Sequence, residues 1–324
     1  MTYSLNLLTE LLINMKILFV CSKNSGKVAS FIVEQAEAVQ QAGLEVDFFT
    51  IEGKGWKGYL SNRPLLIKKI KEFKPNVIHA HYGLSGLLAN TQRKVPVITT
   101  FHGSDINDPE VFRFSKWAIR LSAWNIFVSE KNIQVAKVKH KYSLIPCGVN
   151  TNLFKPIDKQ VARNELGLKP DEKLVLFAGS FDNPVKNSAL ALQAINLLPE
   201  VQLLELKNYS REEVALLINA VDVCLMTSLS EGSPQFIKEA MACNCPIVSV
   251  DVGDVKEQIE DVENCFIVEA QCEKIADKLN GILADGAKRT NGREKLLRKG
   301  LEQSSVSEQL IKIYRRYGGT ATSK

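Results

Sequence analysis

One stretch, residues 225–254, constrains the fold of this chain more than any other, because a strand, a loop, a helix and a second strand follow one another in it. Residues 221–226 form a short apolar run with β-branched side chains, which is typical of a buried strand. Ser233 followed by Pro234 predicts a helix start, since the hydroxyl can cap the helix and proline needs no N–H at the first helical position. Residues 247–250 predict the next buried strand. The stretch therefore predicts a β-α-β unit.

Two carboxylates frame the predicted helix: Glu231 precedes it and Glu239 lies within it. In a parallel sheet, ligands bind outside the carboxyl ends of the strands, which is where a strand-to-helix loop lies. Glu231 should therefore stand at the mouth of a crevice, with Glu239 about a turn and a half deeper. The free N–H groups near Gln235 predict an anion site in the same space. We expect a ligand that carries both hydroxyls and phosphate.

These residues resemble the donor-site signature of a known family. EGSP at residues 231–234, EAM at 239–241 and VGD at 252–254 place two glutamates eight positions apart. In this setting the pattern is similar to that of the retaining GT-B glycosyltransferases of family GT4. The alternative is a capped amphipathic helix with two solvated glutamates.

The resemblance covers almost all of residues 15–317 and implies an α/β fold of GT-B architecture. In that architecture two Rossmann-like domains face each other across an interdomain cleft, and a C-terminal helix crosses back to the first domain. The length of 324 residues fits two domains of about 150 residues each. IPCGVN at residues 145–150 resembles the family's hinge, and residues 158–173 are interpreted as a charged connector. The predicted parts are a non-structural extension at 1–14, an acceptor domain at 15–150, a nucleotide-sugar donor domain at 151–304, and a returning helix and tail at 305–324.

The first half opens with a strand, a polar loop and a helix, a Rossmann-like start. The loop segment SKNSGKV invites a phosphate-loop interpretation, but the first glycine of that motif would fall on Cys21 and its hydroxyl on Val28. The resemblance instead implies a glycine-rich loop that faces the donor, with Gly26 in it.

Two histidine motifs follow in the first half. In His79-Ala80-His81 we expect the two rings to point to opposite faces of a strand, so they predict no metal pair. HGSD at residues 102–105 follows a predicted strand and resembles the HGxD stretch of GT4 enzymes, in which the histidine approaches the donor sugar. A neutral His102 could hydrogen-bond a sugar hydroxyl. A capping or packing role is the alternative.

The second half opens with a strand and the loop 179–187. In GT4 enzymes this loop carries an arginine directly after its glycine and a lysine six residues later, both on the donor diphosphate. Lys186 matches the lysine, whereas Ser180 stands where the arginine is expected. This departure predicts one of three outcomes: weaker binding of the diphosphate, a positive charge supplied by another residue, or a different way of binding the donor.

The resemblance implies transfer of a glycosyl unit from a UDP- or GDP-sugar, with retention, to a saccharide or lipid-linked saccharide in bacterial surface polysaccharide assembly. The main chemical task is to stabilise negative charge on the leaving diphosphate. Glu231 would contact the sugar and Glu239 the ribose. The chain contains no Asp-x-Asp, so we expect no metal and no cofactor besides the nucleotide-sugar co-substrate. The expected catalytic residues are Glu231, His102 and Lys186, and the expected donor-binding residues are Glu239, Ser180, Gly232, Ser233, Pro234, Gln235, Gly26 and Gly179.

Two other functions remain open on the same fold. A nucleotide-sugar 2-epimerase would consume donor without any acceptor, and the Glu231–Glu239 pattern argues against it. A non-catalytic nucleotide-sugar binder is favoured by Ser180. The sequence does not specify the donor base, the sugar, the acceptor, the linkage or the oligomeric state.

Charge and cysteine content bear on partners and compartment. The net charge of +5 and pI of about 8.7 come without an aromatic-interleaved basic motif, so we expect no nucleic acid partner. Residues 54–74 are basic and include Trp56, which predicts either a solvated helix face or a contact with an anionic membrane surface. Seven scattered cysteines fit a reducing compartment. Without a signal peptide or an apolar run of ~18 residues, the expected location is the cytoplasm, with a peripheral position on the inner membrane face as an option.

Overall fold

The computed structural model describes residues 15–319 and divides them into two compact units. The first unit combines residues 15–148 with residues 303–319, and the second unit is Val149–Glu302. The extension predicted at residues 1–14 lies outside the described residues. Each unit is built on its own parallel sheet.

The first unit contains a six-stranded sheet in the order β2-β1-β3-β4-β5-β6, with every neighbouring pair parallel. The strand order reverses between β1 and β3, which is where ligands bind in open sheets of this kind. β3 and β4 are buried at every position, because helices cover both faces of the sheet. The strands are β1 (Lys16–Ser22), β2 (Glu45–Ile51), β3 (Val77–His81), β4 (Val97–Phe101), β5 (Trp124–Phe127) and β6 (Tyr142–Leu144).

Helices connect these strands as the alternation of patterns predicts. The basic segment 54–74 contains two helices rather than one, with Ser61 and Asn62 between them. The helices are α1 (Ser30–Gln41), α2 (Gly55–Leu60), α3 (Arg63–Phe73), α4 (Gly83–Ala89), α5 (Ser104–Asn107), α6 (Pro109–Leu121) and α7 (Glu130–Ala136).

The second unit contains a five-stranded parallel sheet in the order β11-β10-β9-β7-β8. Its order reverses between β7 and β9, so the loops after these two strands meet at the switch point of the sheet. The central strands β9 and β10 are buried at every position. The strands are β7 (Lys173–Phe177), β8 (Val201–Glu205), β9 (Val223–Met226), β10 (Ile247–Val250) and β11 (Cys265–Val268).

Seven α-helices and one short 3-10 turn are described in the second unit. The 3-10 turn, Pro184–Lys186, lies in the loop after β7. The helices are α8 (Lys159–Leu166), α9 (Ser188–Asn196), α10 (Arg211–Ala220), α11 (Gln235–Ala242), α12 (Val255–Ile259), α13 (Cys272–Ala284) and α14 (Gly292–Arg298).

The charged segment 158–173 is more than the connector expected from its composition. It contains α8, whose Arg163 is only 1% exposed. The guanidinium of Arg163 lies 3.2 Å from Asp222 Oδ2, and the same oxygen accepts the backbone N–H of Leu174 at 2.8 Å. A buried charge must be paired, so this ion pair fixes α8 against the start of β7. The sequence pattern misses it because the residue that α8 buries is charged.

The last helix, α15 (Gln303–Gly318), belongs to the first unit although it follows the second unit in the chain. Val306, Leu310 and Tyr314 are at most 2% exposed and pack in one apolar cluster with Ile17 and Phe19 of β1. The expected return of the C-terminal helix to the first unit is therefore observed, and the first unit's core is built from segments that precede and follow the second unit in the chain.

Candidate functional site

The loop after β7 carries Lys186 across the end of the sheet. A Cβ atom placed on Gly179 would lie 2.9 Å from Lys186 Cγ and 3.2 Å from its Cδ and Cε. The aliphatic stem of Lys186 therefore lies directly over Gly179, in space that any other residue would fill. Both residues were expected at the site, and the structure brings them into contact.

Lys186 forms an ion pair with Glu231 from the loop after β9. Lys186 Nζ lies 2.6 Å from Glu231 Oε1, and the two side chains are 23% and 15% exposed. The backbone N–H of Leu229 donates to the carbonyl of Val185 at 2.8 Å, and the hydroxyl of Thr227 lies 3.0 Å from the carbonyl oxygen of Lys186. These bonds join the two loops at the switch point, so the pair sits on a fixed backbone.

The loop that carries Glu231 is also packed against the loop after β10. Gly253 has a φ of +58°, and a Cβ there would lie 2.7 Å from the carbonyl oxygen of Gly232 and 3.1 Å from Glu231 Cβ. Only glycine combines this backbone conformation with such a close approach. Gly253 therefore allows the loop after β10 to pack against Glu231, a role that the VGD pattern alone does not reveal.

The helix start after Glu231 differs from the expected one. α11 begins at Gln235 with Pro234 as its N-cap residue, and no side chain caps it. The expected cap by Ser233 is therefore wrong: the backbone of Pro234 is extended, with φ −67° and ψ 125°, which displaces the helix start by one residue. Gly232 and Pro234 are buried, whereas Ser233 and Gln235 are half-buried.

Glu239 is buried in α11 and paired with a residue that sequence reasoning missed. Arg211 Nη2 lies 2.5 Å from Glu239 Oε1, and the two side chains are 25% and 4% exposed. The guanidinium of Arg211 also lies 4.7 Å from the centre of the Phe154 ring. Two solvated glutamates, the alternative considered for this helix, are therefore excluded. The buried carboxylate itself signals that a cation is needed, but the sequence does not say which one.

Ser180, at the position of the expected arginine, lies among acidic side chains. Its hydroxyl is 2.9 Å from Glu205 Oε1 and also within hydrogen-bonding distance of Asp182. Glu205 accepts the backbone N–H of Phe181 as well, at 2.6 Å. Lys207 Nζ lies 2.8 Å from Asp182 Oδ2, and this ion pair with its hydrogen bond lowers the pKa of Asp182. A cation is thus near this position, but it comes from the loop after β8.

In the first unit, Asp105 shapes the loop that carries His102. Its Oδ1 accepts the backbone N–H groups of His102 and Gly103, both at 3.0 Å, and its Oδ2 accepts that of Gly83 at 2.8 Å. Burial raises the pKa of Asp105 to about 6, although these backbone donors oppose the shift. The HGSD motif is therefore a loop folded around its own aspartate.

The two histidines of β3 share one face of the strand, so the expectation of opposite faces is wrong. The rings of His79 and His81 are 4.4 Å apart at their centres. Residues two apart on a strand point the same way, so both rings lie on one side of β3. His81 Nδ1 lies 3.0 Å from His102 Nε2, and burial lowers the pKa of His79 to about 3.

Gly26 lies in the first unit, in the exposed loop after β1, with φ +91°. Its N–H donates to the carbonyl of Lys23 at 2.9 Å, which closes a tight turn. The structure thus gives Gly26 a local reason to be glycine. A contact with a donor stays a prediction.

Family models match both halves of the chain. A model described as Glycosyltransferase Family 4 matches residues 28–153, and one described as Glycosyl transferases group 1 matches residues 174–285. The second match spans Lys186, Glu231 and Glu239. The chain belongs to the family 4, group 1 glycosyltransferases.

Individual relatives agree with that assignment. The chain is 25% identical over 263 residues to a D-inositol 3-phosphate glycosyltransferase of Mycobacterium marinum, covering 65% of this chain and 56% of the relative. The chain thus spans little more than half the length of that relative. Sucrose-phosphate synthase from Thermosynechococcus elongatus superposes with a TM-score of 0.80 at 20% identity, covering 93% of this chain and 98% of that one. Anabaena HepE in complex with UDP-glucose superposes with a TM-score of 0.73 at 17% identity, covering 93% and 100%. These likenesses confirm the expected α/β fold class of GT-B type.

Two further features of the described residues concern metals and membranes. Within residues 15–319, no group of three or more His, Cys, Asp or Glu side chains could hold a metal ion. Over the same residues, no helix is both long and apolar enough to cross a bilayer. All seven cysteines lie in this part of the chain as free thiols.

Proposed function

We propose that this glycosyltransferase moves a sugar from a nucleotide diphosphate sugar, UDP- or GDP-linked, to a saccharide or lipid-linked saccharide acceptor, with retention of configuration. The observation that carries the proposal is the Lys186–Glu231 pair at the switch point of the second sheet. Open parallel sheets bind ligands at this position, and the pair offers a cation for phosphate beside an acceptor for sugar hydroxyls.

Lys186 would stabilise the leaving diphosphate. The departing nucleotide gains negative charge on its phosphate oxygens as the glycosidic bond breaks, so a fixed cation lowers the barrier. Lys186 is held by its stem over Gly179 and by Glu231. When a diphosphate binds, Nζ can contact phosphate and Glu231 can accept a hydroxyl of the sugar. The N–H groups at the start of α11 would supply further donors to the phosphate.

Glu239 would contact the ribose hydroxyls. Its carboxylate is already held by Arg211, and its second oxygen can accept a ribose hydroxyl while that pair stays formed. The pair orients the carboxylate, because a guanidinium at this distance forms a charge-assisted hydrogen bond with it. Arg211 is thus part of the proposed nucleotide site.

A second candidate function is binding of a nucleotide sugar without catalysis. Ser180 favours it, because a hydroxyl between Glu205 and Asp182 replaces the arginine that this family directs at the diphosphate. An arginine contact of that kind stabilises a phosphate by roughly 1.5–3 kcal/mol. Lys207 is the nearby cation that could replace it once released from Asp182.

Ligand-induced thermal shifts with UDP, GDP, uridine and guanosine test the diphosphate site. The matching diphosphate should raise the melting temperature more than its nucleoside does. Lys186→Ala should remove most of this diphosphate increment, a loss of about 10–100-fold in affinity for one charged hydrogen bond. Lys173→Ala is the matched control, because Lys173 is the first residue of β7, at the opposite end of this strand from the loop that carries Lys186, and it pairs with Glu200.

Turnover separates the candidate functions. Consumption of a nucleotide sugar only in the presence of a saccharide acceptor supports the transferase. Stabilisation by a nucleotide sugar without turnover across a broad acceptor panel favours the binder, and epimer formation without any acceptor favours an isomerase. An equal diphosphate increment in wild type and Lys186→Ala would refute the assigned role of Lys186.

We further propose that the first unit contacts an anionic lipid surface. Residues 54–74 hold seven basic residues and one acidic residue, and α6 holds three basic residues and one acidic residue. The combined net charge of these two segments therefore exceeds the net charge of +5 of the whole chain. Trp56 and Trp117 are 42% and 57% exposed, and Trp56 stacks on Phe114 with ring centres 6.1 Å apart. Exposed aromatic rings among cations suit the interface of an anionic bilayer, where a lipid-linked acceptor would lie. A role in surface polysaccharide assembly would fit that location.

A further inference from the structure

Two histidine rings of the first unit, His81 and His102, are in contact, and the position of their protons decides what His102 can donate. His81 is 1% exposed, and its Nδ1 lies 3.0 Å from Nε2 of the half-buried His102. The ring of His81 stacks between Phe19, 5.4 Å away, and His102, 5.3 Å away. On its other side, His102 Nδ1 lies 3.7 Å from the sulfur of Cys147.

The second nitrogen of His81 is enclosed in the protein. Among residues 15–319, its Nε2 has no hydrogen-bonding partner although the atom is buried. Burial and the neighbouring His79 and His102 lower the pKa of His81 well below its usual range, so the ring is neutral and carries one proton. That proton is on Nδ1 or on Nε2.

The two arrangements differ in which atom of His81 is left unpaired. If His102 donates from Nε2 to His81 Nδ1, then His81 must carry its proton on Nε2, as a buried N–H without an acceptor. If His81 donates from Nδ1, only a lone pair is left unpaired at Nε2. Orphaned buried N–H groups are rarer than unsatisfied acceptors, and an unmade donor bond costs about 1–3 kcal/mol. The second arrangement is therefore favoured.

We propose that His81 is a positioning residue that fixes the tautomer of His102, by donating from Nδ1 to His102 Nε2 and leaving the proton of His102 on Nδ1. The Nδ1–H of His102 then faces the sulfur of Cys147. A thiol sulfur is a weak acceptor, so His102 can instead donate this N–H to a stronger acceptor, such as a hydroxyl oxygen of a substrate. That last step rests on the proposed function, whereas the tautomer does not.

Nitrogen-15 NMR of histidine-labelled protein tests the tautomer directly. The chain holds only four histidines, so single substitutions assign every ring, and the exposed His140 serves as an internal reference. We expect His102 to show a protonated Nδ1 and an unprotonated, hydrogen-bonded Nε2. A wild-type His102 protonated at Nε2 overturns the proposal.

Two substitutions at position 81 separate donation from packing. His81→Asn keeps an amide N–H close to the place of Nδ1, whereas His81→Phe keeps the ring volume and removes the donor. We expect His102 to retain the Nδ1–H tautomer in His81→Asn and to shift toward Nε2–H in His81→Phe. An unchanged tautomer in a folded His81→Phe overturns the proposal.

Kinetics then link the tautomer to the reaction. In His81→Phe, kcat with a nucleotide sugar should fall about ten-fold, and His81→Asn should restore most of it. A protein that shows the expected tautomers but turns over no nucleotide sugar would contradict the proposed function while supporting the role of His81, so the two failures are distinguishable.

Discussion

Gly179 is the residue that lets Lys186 reach Glu231, because the lysine stem occupies the space of a side chain at position 179. Gly179→Ala should therefore push the stem aside and separate Nζ from Glu231. We expect the affinity for the matching nucleoside diphosphate to fall by about ten-fold, less than a full charged hydrogen bond provides. The measurement is the difference between the melting-temperature shifts that the diphosphate and its nucleoside cause in the same variant. Because both shifts are taken from one variant, a loss of fold stability cancels in this difference.

Gly281→Ala is the control for that substitution. Gly281 lies inside α13, and a Cβ there meets no atom within 4 Å. Alanine should stabilise the helix by about 0.5–1 kcal/mol and leave the diphosphate increment unchanged. An undiminished increment in Gly179→Ala would show that Lys186 does not depend on this glycine.

At the scale of elements, the turn between β4 and α5 depends on the protonation state of Asp105. The carboxyl group has a pKa of about 6 in the folded protein against 3.8 in the unfolded chain. The folded state therefore binds the extra proton between these values, and stability falls as pH rises through that window. A shift of about 2 units corresponds to about 3 kcal/mol.

Urea unfolding of wild type and Asp105→Asn from pH 4 to pH 7 measures this effect. All three tryptophans, Trp56, Trp117 and Trp124, lie in the first unit, so their fluorescence reports the unfolding of that unit. The amide of Asp105→Asn does not titrate. Relative to this variant, the free energy of unfolding of wild type should fall by up to about 3 kcal/mol as pH rises. A wild-type advantage that grows with pH would contradict the expected sign.

The helices and strands and their order were predictable from the sequence where apolar residues recur with a clear helical or strand period. Both sheets follow from the alternation of apolar runs and helices. Lys186 and Glu231 were expected at one site because each matches a motif of the family that the sequence resembles, and Glu231 also follows a strand at its carboxyl end. The partner of Glu239 was not predictable, because Arg211 is 28 positions away and only the packing of α10 on α11 selects it. The start of α11 was misplaced because a serine before a proline fits two registers.

At the scale of the whole molecule, the uneven distribution of charge predicts binding to anionic vesicles. Vesicles containing roughly a third phosphatidylglycerol should bind the protein and shift the tryptophan emission to the blue, and brominated lipids should quench Trp117. Arg113→Glu with Lys116→Glu should weaken binding by ten-fold or more, since each basic residue near such a surface contributes about 1 kcal/mol.

The matched control reverses two charges of the second unit. Lys169 and Lys288 are 80% and 68% exposed and each pairs with a nearby acid. Lys169→Glu with Lys288→Glu should leave vesicle binding nearly unchanged. Equal losses in the two double variants would mean that net charge, and not the surface around Trp117, drives the interaction.

Because α15 completes the core around β1, the order in which the ribosome releases the chain matters for folding. The second unit is one continuous stretch and can fold while the polypeptide is still being made. The first unit must wait for residues 303–319, although its strands emerge first, so Tyr314 reaches His79 only after the whole second unit has been synthesised. A nascent chain arrested after residue 302 and an added linker that spans the exit tunnel should resist protease in the second unit and remain cleavable in the first.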